Sequence, residues 1–290
     1  MLVLLSVLNE DYNLSYHAGN PIKKGTETCL SLNISDSGFL YSISQPDYNN
    51  IIEIGSVTFK SKVKSNTELI EKLDFLIHYF SLIKNKYSRV RVSILNNDFA
   101  LIPKSYSAEH TSIQLLNFNN GLGDFNKVKD FELKNLKFCF AINSELIHFL
   151  EKLFPNLQLL HTGINTINSL FEHHSLKSNN IFLIIHHQHI EICAKNNQEL
   201  LFYNIFGYTQ SEDILYYLLF LLEQFELNPL HAKLSIAGEL ESDSTIIKEI
   251  KKYIRHVELC TFNPKIKMTG ELEKIPQHYF HNLLHQPLCE

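Results

Sequence analysis

The stretch from Cys29 to Ser44, CLSLNISDSGFLYSIS, decides the fold. Leu30, Leu32 and Ile34 alternate with Ser31, Asn33 and Ser35, the two-residue period of a strand with one buried face. Asp36-Ser37-Gly38 is a tight turn. Phe39, Tyr41 and Ile43 then alternate with Leu40, Ser42 and Ser44, and a polar turn over Gln45–Asn50 leads into a third strand, Ile51–Phe59. Ser65-Asn66-Thr67-Glu68 has the spacing of a capping box. Leu69, Leu73, Leu76 and Phe80 follow at helical spacing, which predicts a helix over Thr67–Ile83. Arg89–Leu95 is the next strand, so the unit reads βββαβ.

The same order returns later. Ile181–His186, His189–Lys195 and Glu199–Phe206 form a second meander, whose first strand is apolar throughout, as for a strand covered on both faces. Thr209-Gln210-Ser211-Glu212 is a second capping box. Ile214–Phe225 is a nearly all-apolar helix, expected to be buried on most sides with Tyr216, Tyr217 and Phe220 in the core. Lys233–Ala237 is the strand after it. The copies align Gly38 with His189, Ser65 with Thr209 and Ser93 with Ser235, at offsets of 151, 144 and 142 (189 − 38, 209 − 65, 235 − 93). Shorter loops in the second copy account for the shrinkage.

Between the copies the pattern predicts a strand at Phe99–Pro103, a helix at Ala108–Leu116 and a surface loop over Asn117–Lys129. A βαβα segment follows over 136–173: strand Leu136–Ile142, helix Glu145–Phe154 capped by Asn143 or Ser144, strand Leu157–His161 and helix Asn165–His173. Helix Thr245–Ile254, strand Val257–Cys260 and a short helix over Gln277–Leu284 close the chain. The expected division is a polar lead-in at 1–27, a first lobe at 28–175 and a second lobe at 176–290.

With 44% hydrophobic and 20% charged residues, the chain has the composition of a folded protein and not of a disordered one. A net charge of −5 argues against nucleic acid as a partner. Lys248, Lys251, Lys252 and Arg255 sit at helical spacing and read as a solvated helix face. Cys29, Cys139, Cys193, Cys260 and Cys289 contain no CxxC pair, and an odd number favours reduced thiols and a cytoplasmic location. The apolar start Met1–Leu8 lacks the basic flank and cleavage site of a signal peptide. The longest apolar run, Ile214–Leu222, is too short to span a bilayer, so no membrane insertion is expected.

A βββαβ unit continuing into αβα and used twice resembles the actin-like ATPase superfamily. The resemblance implies an α/β fold of duplicated RNase H-like βββαβαβα lobes. Segment Leu136–Phe171 is similar to the corresponding part of bacterial cell-division and type IV pilus assembly members. Leu32-Asn33-Ile34-Ser35-Asp36-Ser37-Gly38-Phe39-Leu40-Tyr41-Ser42-Ile43, with Pro276-Gln277-His278-Tyr279-Phe280 and the ending Cys289-Glu290, most resembles a Bacteroidetes family of domains of unknown function assigned this fold. The resemblance covers about residues 28–290 and implies no established activity.

In active members of the superfamily both hairpins carry acidic, glycine-containing loops that hold Mg²⁺ and cradle phosphates. The residues at those places here are Asp36, Ser37 and Gly38 in the first hairpin, His187, Gln188 and His189 in the second, and Gly238 at the adenosine position. The first set is explained by its own turn. The second has neither glycine nor acid, and Glu239 and Glu241 beside Gly238 would repel a triphosphate. These seven are candidate cleft-lining residues, and no catalytic residue, metal ligand or cofactor is expected. His186–His189 and the i, i+4 pair His281 and His285 have metal-ligand spacing but no acidic partner nearby in sequence. A nuclease reading would need Asp36, Glu68 or Glu71, and Asp98 around metals, yet Glu68 and Asp36 are already spent on the cap and the turn. The expected function is that of a non-catalytic cytoplasmic protein using a degenerate actin-like fold as a protein-interaction or regulatory scaffold, with another protein as partner; the alternative is a divergent ATP-binding member of the superfamily.

Overall fold

The computed structural model describes residues 11–22, 26–46, 50–106, 112–120, 126–133, 135–172, 176, 180–197 and 199–286. Its first sheet contains β1 (Tyr12–Gly19), β2 (Thr28–Ile34), β3 (Gly38–Ser44), β4 (Ile51–Phe59), β5 (Tyr87–Ile94) and β9 (Gln158–His161), in the order β1-β4-β3-β2-β5-β9. The second contains β10 (Ile181–Ile185), β11 (His189–Asn196), β12 (Glu199–Gly207), β13 (Lys233–Gly238) and β14 (His256–Leu259), in the order β12-β11-β10-β13-β14. Without β1, the two orders are the same. In each, a meander of three antiparallel strands is extended by two strands parallel to its first. The duplication is therefore a fact of topology.

Hydrogen bonds fix the equivalences. Ser35 N–H donates to Gly38 O across the first hairpin, and His186 N–H donates to His189 O across the second, which confirms the offset of 151. The later alignment needs correction. Asn33 pairs with Ser93, and the equivalent Ile184 pairs with Ala237, so Ser93 corresponds to Ala237 at an offset of 144 (237 − 93). A slip of two residues keeps every side chain on its face, so alternation alone does not detect it.

Helix α1 (Asn66–Tyr79) begins as the capping box predicts: Ser65 Oγ accepts from Glu68 N–H at 3.2 Å. The Glu68 carboxylate reaches one residue further back, to Lys64 N–H. On the second copy's helix α5 (Ser211–Gln224) the cap is Gln210, one residue after the expected Thr209. Asp213 takes the acidic role, and its Oδ2 accepts from Thr209 N–H, Thr209 Oγ1 and Gln210 N–H. Helix α5 buries Ile214, Leu218, Leu221 and Leu222, while Tyr216 and Phe220 are 64% and 52% exposed. It buries one face, so the expected burial on most sides, with Tyr216 and Phe220 in the core, fails. The basic residues of α6 (Thr245–Tyr253) do sit opposite its buried Ile246, Ile247 and Ile250.

Two further corrections concern the first half. Within the expected lead-in, Tyr12–Gly19 is strand β1, paired antiparallel with β4 and bulged between Leu14 and Tyr16. Residues 1–10 lie outside the described residues. Of the expected loop 117–129, residues 117–120 end helix α2 (Ser112–Asn120), 126–129 begin strand β7 (Asn126–Leu133), and 121–125 lie outside the described residues. Strand β7 joins β6 (Phe99–Pro103) and β8 (Leu136–Asn143) in a separate three-stranded sheet, in the order β6-β8-β7. The segment 136–173 therefore starts in this small sheet. Helix α3 (Ser144–Leu153), capped by Asn143 Oδ1, returns the chain to the first sheet at β9.

Helix α4 (Thr162–Glu172) packs on β10, β11 and β12, although it precedes the second copy. In the reverse sense, residues 262–284 lay Leu272, Ile275, Phe280, Leu283 and Leu284 on Ile51 and Ile54 of the first sheet. Helix α7 (His281–His285) touches β2, β3 and α4. Its cover explains why β2 is buried on both faces, Ser31 and Asn33 included.

Candidate functional site

The two hairpin turns, 35–37 and 186–188, meet close to the start of α4 and to the segment that carries His278 and α7. Ser37 Oγ donates to His187 O at 2.7 Å and lies 3.4 Å from His189 Nδ1. Asp36 turns the other way: Oδ2 pairs with Lys62 Nζ at 3.1 Å, and Oδ1 lies 3.5 Å from His189 Nε2. Burial lowers the His189 pKa, and the Asp36 charge opposes that shift. Gln188 adopts a left-handed backbone, φ 65°, and its carbonyl accepts from Tyr208 N–H.

Gly238 ends β13 at φ 118°, and a Cβ there would lie 2.0 Å from Ile185 O. Its N–H donates to His278 O. Its surroundings are thus strand β10 and the C-terminal segment. Glu239 beside it reaches across to the first sheet, where Oε2 accepts from Ser56 Oγ at 3.1 Å, and burial raises its pKa.

The turn residues Ser35, Ser37, Gly38, His186 and His187 enclose, with Glu239, a cavity of about 20 Å³. That is room for about one water molecule, whereas ligand pockets run from about 300 to 1,000 Å³. Of the seven candidate residues, Ser37, Gly38 and His187 line this cavity, and Gly238 lines a second of about 10 Å³. Asp36, Gln188 and His189 line neither cavity.

Sequence reasoning missed the polar centre behind the turns. Glu191, in the middle of β11, has no exposed surface. Its Oε1 accepts from His186 Nε2 at 2.7 Å and Asn282 Nδ2 at 2.6 Å; its Oε2 accepts from Thr166 Oγ1 and Tyr203 OH, both at 2.7 Å. Burial alone would raise the carboxyl pKa. The His186, Thr166 and Tyr203 bonds outweigh it and hold Glu191 below the usual carboxylate range. Tyr203 reaches Glu191 past Gly163, where a Cβ would sit 2.4 Å from the phenol oxygen. The signal in the sequence was an acid between Ile190 and Ile192, sharing a strand face with Lys195, whose Nζ donates to Leu170 O at the end of α4.

The histidine pair at the C-terminus is structural. His281 Nε2 meets Ser169 Oγ and its Nδ1 meets Cys260 Sγ; His285 Nε2 accepts from Asn263 N–H. The rings stack with centroids 4.0 Å apart. Among the described residues, no three His, Cys, Asp or Glu side chains are grouped to hold one metal ion.

Sheets of like topology, joined through a crossing helix and closed at paired hairpins, define the actin-like ATPase fold. A protein of this fold and unknown function from Bacteroides thetaiotaomicron is similar at 26% identity and TM-score 0.65, over 84% of this chain and 94% of that one. The PilM-PilN type IV pilus biogenesis complex matches at 10% identity and TM-score 0.64, over 89% and 98%. No curated protein matches the sequence. Residues 19–257 match the family described as "Protein of unknown function (DUF3822)", and the chain belongs to that family.

Proposed function

We propose that this protein is a cytoplasmic, non-catalytic scaffold that binds another protein, with the hairpin junction serving as a structural closure. The observation that carries this reading is the direct bond from Ser37 Oγ to His187 O. It ties together the two loops that active members of the superfamily hold apart around phosphates. The contact leaves a cavity for water in place of a nucleotide. Three carboxylates near the junction have other duties: Asp36 on Lys62, Glu191 on its four donors, Glu239 on Ser56. The likeness to PilM supports a protein partner, because that fold is seen there in a complex with PilN. No helix among the described residues is long and apolar enough to cross a membrane.

Thermal unfolding with and without millimolar Mg-ATP tests the reading. The expected result is an unchanged midpoint. A ligand at one hundred times its dissociation constant adds about 2.7 kcal/mol to the native state, so an upward shift of several degrees would establish the divergent ATP-binding alternative.

A further inference from the structure

A groove separates the edge strand β1 from the C-terminal half of α1, far along the first sheet from the hairpins. It encloses about 910 Å³. One wall is aromatic: Phe75 stacks on Tyr79 at 6.0 Å and Tyr79 meets Phe80 edge-on at 4.9 Å, with the buried Tyr12 stacked behind Phe75 at 5.3 Å. Phe80 in turn covers the buried Tyr41.

Glu53 lies among the groove's lining residues with 21% of its side chain exposed. Its Oε1 accepts from Tyr41 OH at 2.5 Å and meets His17 Nε2 at 3.2 Å. No described residue donates to Oε2. Burial pushes the Glu53 pKa up, but the bonds to His17 and Tyr41 more than reverse this and keep it below the usual range. Glu53 is therefore a carboxylate at neutral pH. Glu71 and Asp74 add two acids along α1, against the single lysine Lys84. The histidines on the groove are both engaged, His17 with Glu53 and His78 with Asp74. The fold already uses such a pairing internally, where Lys72 Nζ sits 5.1 Å from the Tyr12 ring centre.

We infer that this groove docks an amphipathic, basic peptide segment of a partner protein, with an arginine or lysine against Glu53 and apolar side chains on Leu14, Phe75 and Tyr79. A carboxylate with a spare oxygen beside aromatic faces is chemistry for a cation, through a charge-assisted hydrogen bond and ring-face attraction. The volume exceeds one side chain and suits a short segment. The inference rests on the scaffold reading and gives it a location.

Fluorescence anisotropy with three labelled ten-residue peptides tests it: alternating leucine and arginine, leucine and citrulline, and leucine and glutamate. The arginine peptide is expected to bind at least about tenfold more tightly than the citrulline peptide. Glu53→Gln should weaken it by about tenfold, and the rim pair Glu71→Gln/Asp74→Asn, which keeps the Tyr41 contact, should weaken it several-fold. Glu223→Gln on α5 controls for net charge and should change nothing. Equal binding of the arginine and citrulline peptides, no binding at all, or equal losses from Glu223→Gln and the groove variants would overturn the proposal. The Mg-ATP melt is independent of it: an unshifted midpoint with no peptide binding discards the groove and leaves the scaffold.

Discussion

Glu191 holds a charge with no exposed surface, and its four donors come from four parts of the chain: His186 in the turn, Thr166 on α4, Tyr203 on β12 and Asn282 on α7. Such a carboxylate is expensive to desolvate and more expensive to delete, because its partners are left buried without an acceptor. Glu191→Ala should destabilise the protein by about 3 kcal/mol, read as a lower urea midpoint. The carboxyl pKa is lower folded than unfolded. Its stabilisation is therefore complete above the unfolded value near pH 4.3 and is lost as pH falls through the folded one. Urea midpoints between pH 7 and pH 3 should fall on the acid side, and less steeply in Glu191→Gln. The turn residues Ser37 and His187 were legible from the hairpin pattern. Glu191 was not, because a lone acid in an apolar strand shows its partners only after the chain has folded.

At the scale of elements, legibility followed burial contrast. The first meander, 28–59, and helix α1 set apolar against polar positions, the second meander opens on the wholly apolar run Ile181–Ile185, and the order of these elements was readable. Strand β7 reads NKVKDFEL: one face of a small exposed sheet leaves little contrast, and charged residues there mimic a loop. Edge strand β1 was hidden for the same reason, with only Tyr12 fully buried. Helix starts depend on local chemistry and can be tested locally. Asn143 Oδ1 accepts from both Glu145 N–H and Leu146 N–H. Asn143→Ala should cost about 1 kcal/mol in chemical denaturation, whereas Asn143→Ser should cost little.

The lobes follow the sequence copies only in part. Helix α4 belongs in sequence to the first copy and in space to the second sheet. Residues 262–286 do the opposite: the buried Arg91 donates to Gln286 O at 3.2 Å, and the Asn33 amide, in the orientation that satisfies both its nitrogen and its oxygen, donates to Gln286 Oε1 at 3.0 Å. A boundary drawn at 176 from the repeat could not see this exchange, since each segment is apolar enough to serve either side. Ending the chain after Cys260 should uncover Ile51 and Ile54 and remove Asn282 from Glu191. The expected outcome is binding of a hydrophobic dye and a broadened, non-two-state melt. A truncated protein with a sharp transition and no dye binding would show that the segment is dispensable.

The crossing of the C-terminal segment also sets a timetable. Strand β2 emerges early in synthesis, but Leu283, which covers it near Asn33, is made 250 residues later (283 − 33). At about 5–20 residues per second, that is a wait of roughly 12–50 seconds on the ribosome, with Ser31, Asn33, Ile51 and Ile54 uncovered. Nascent chains of this protein should therefore engage chaperones until residues 262–284 have been made, and the native first sheet waits for that segment.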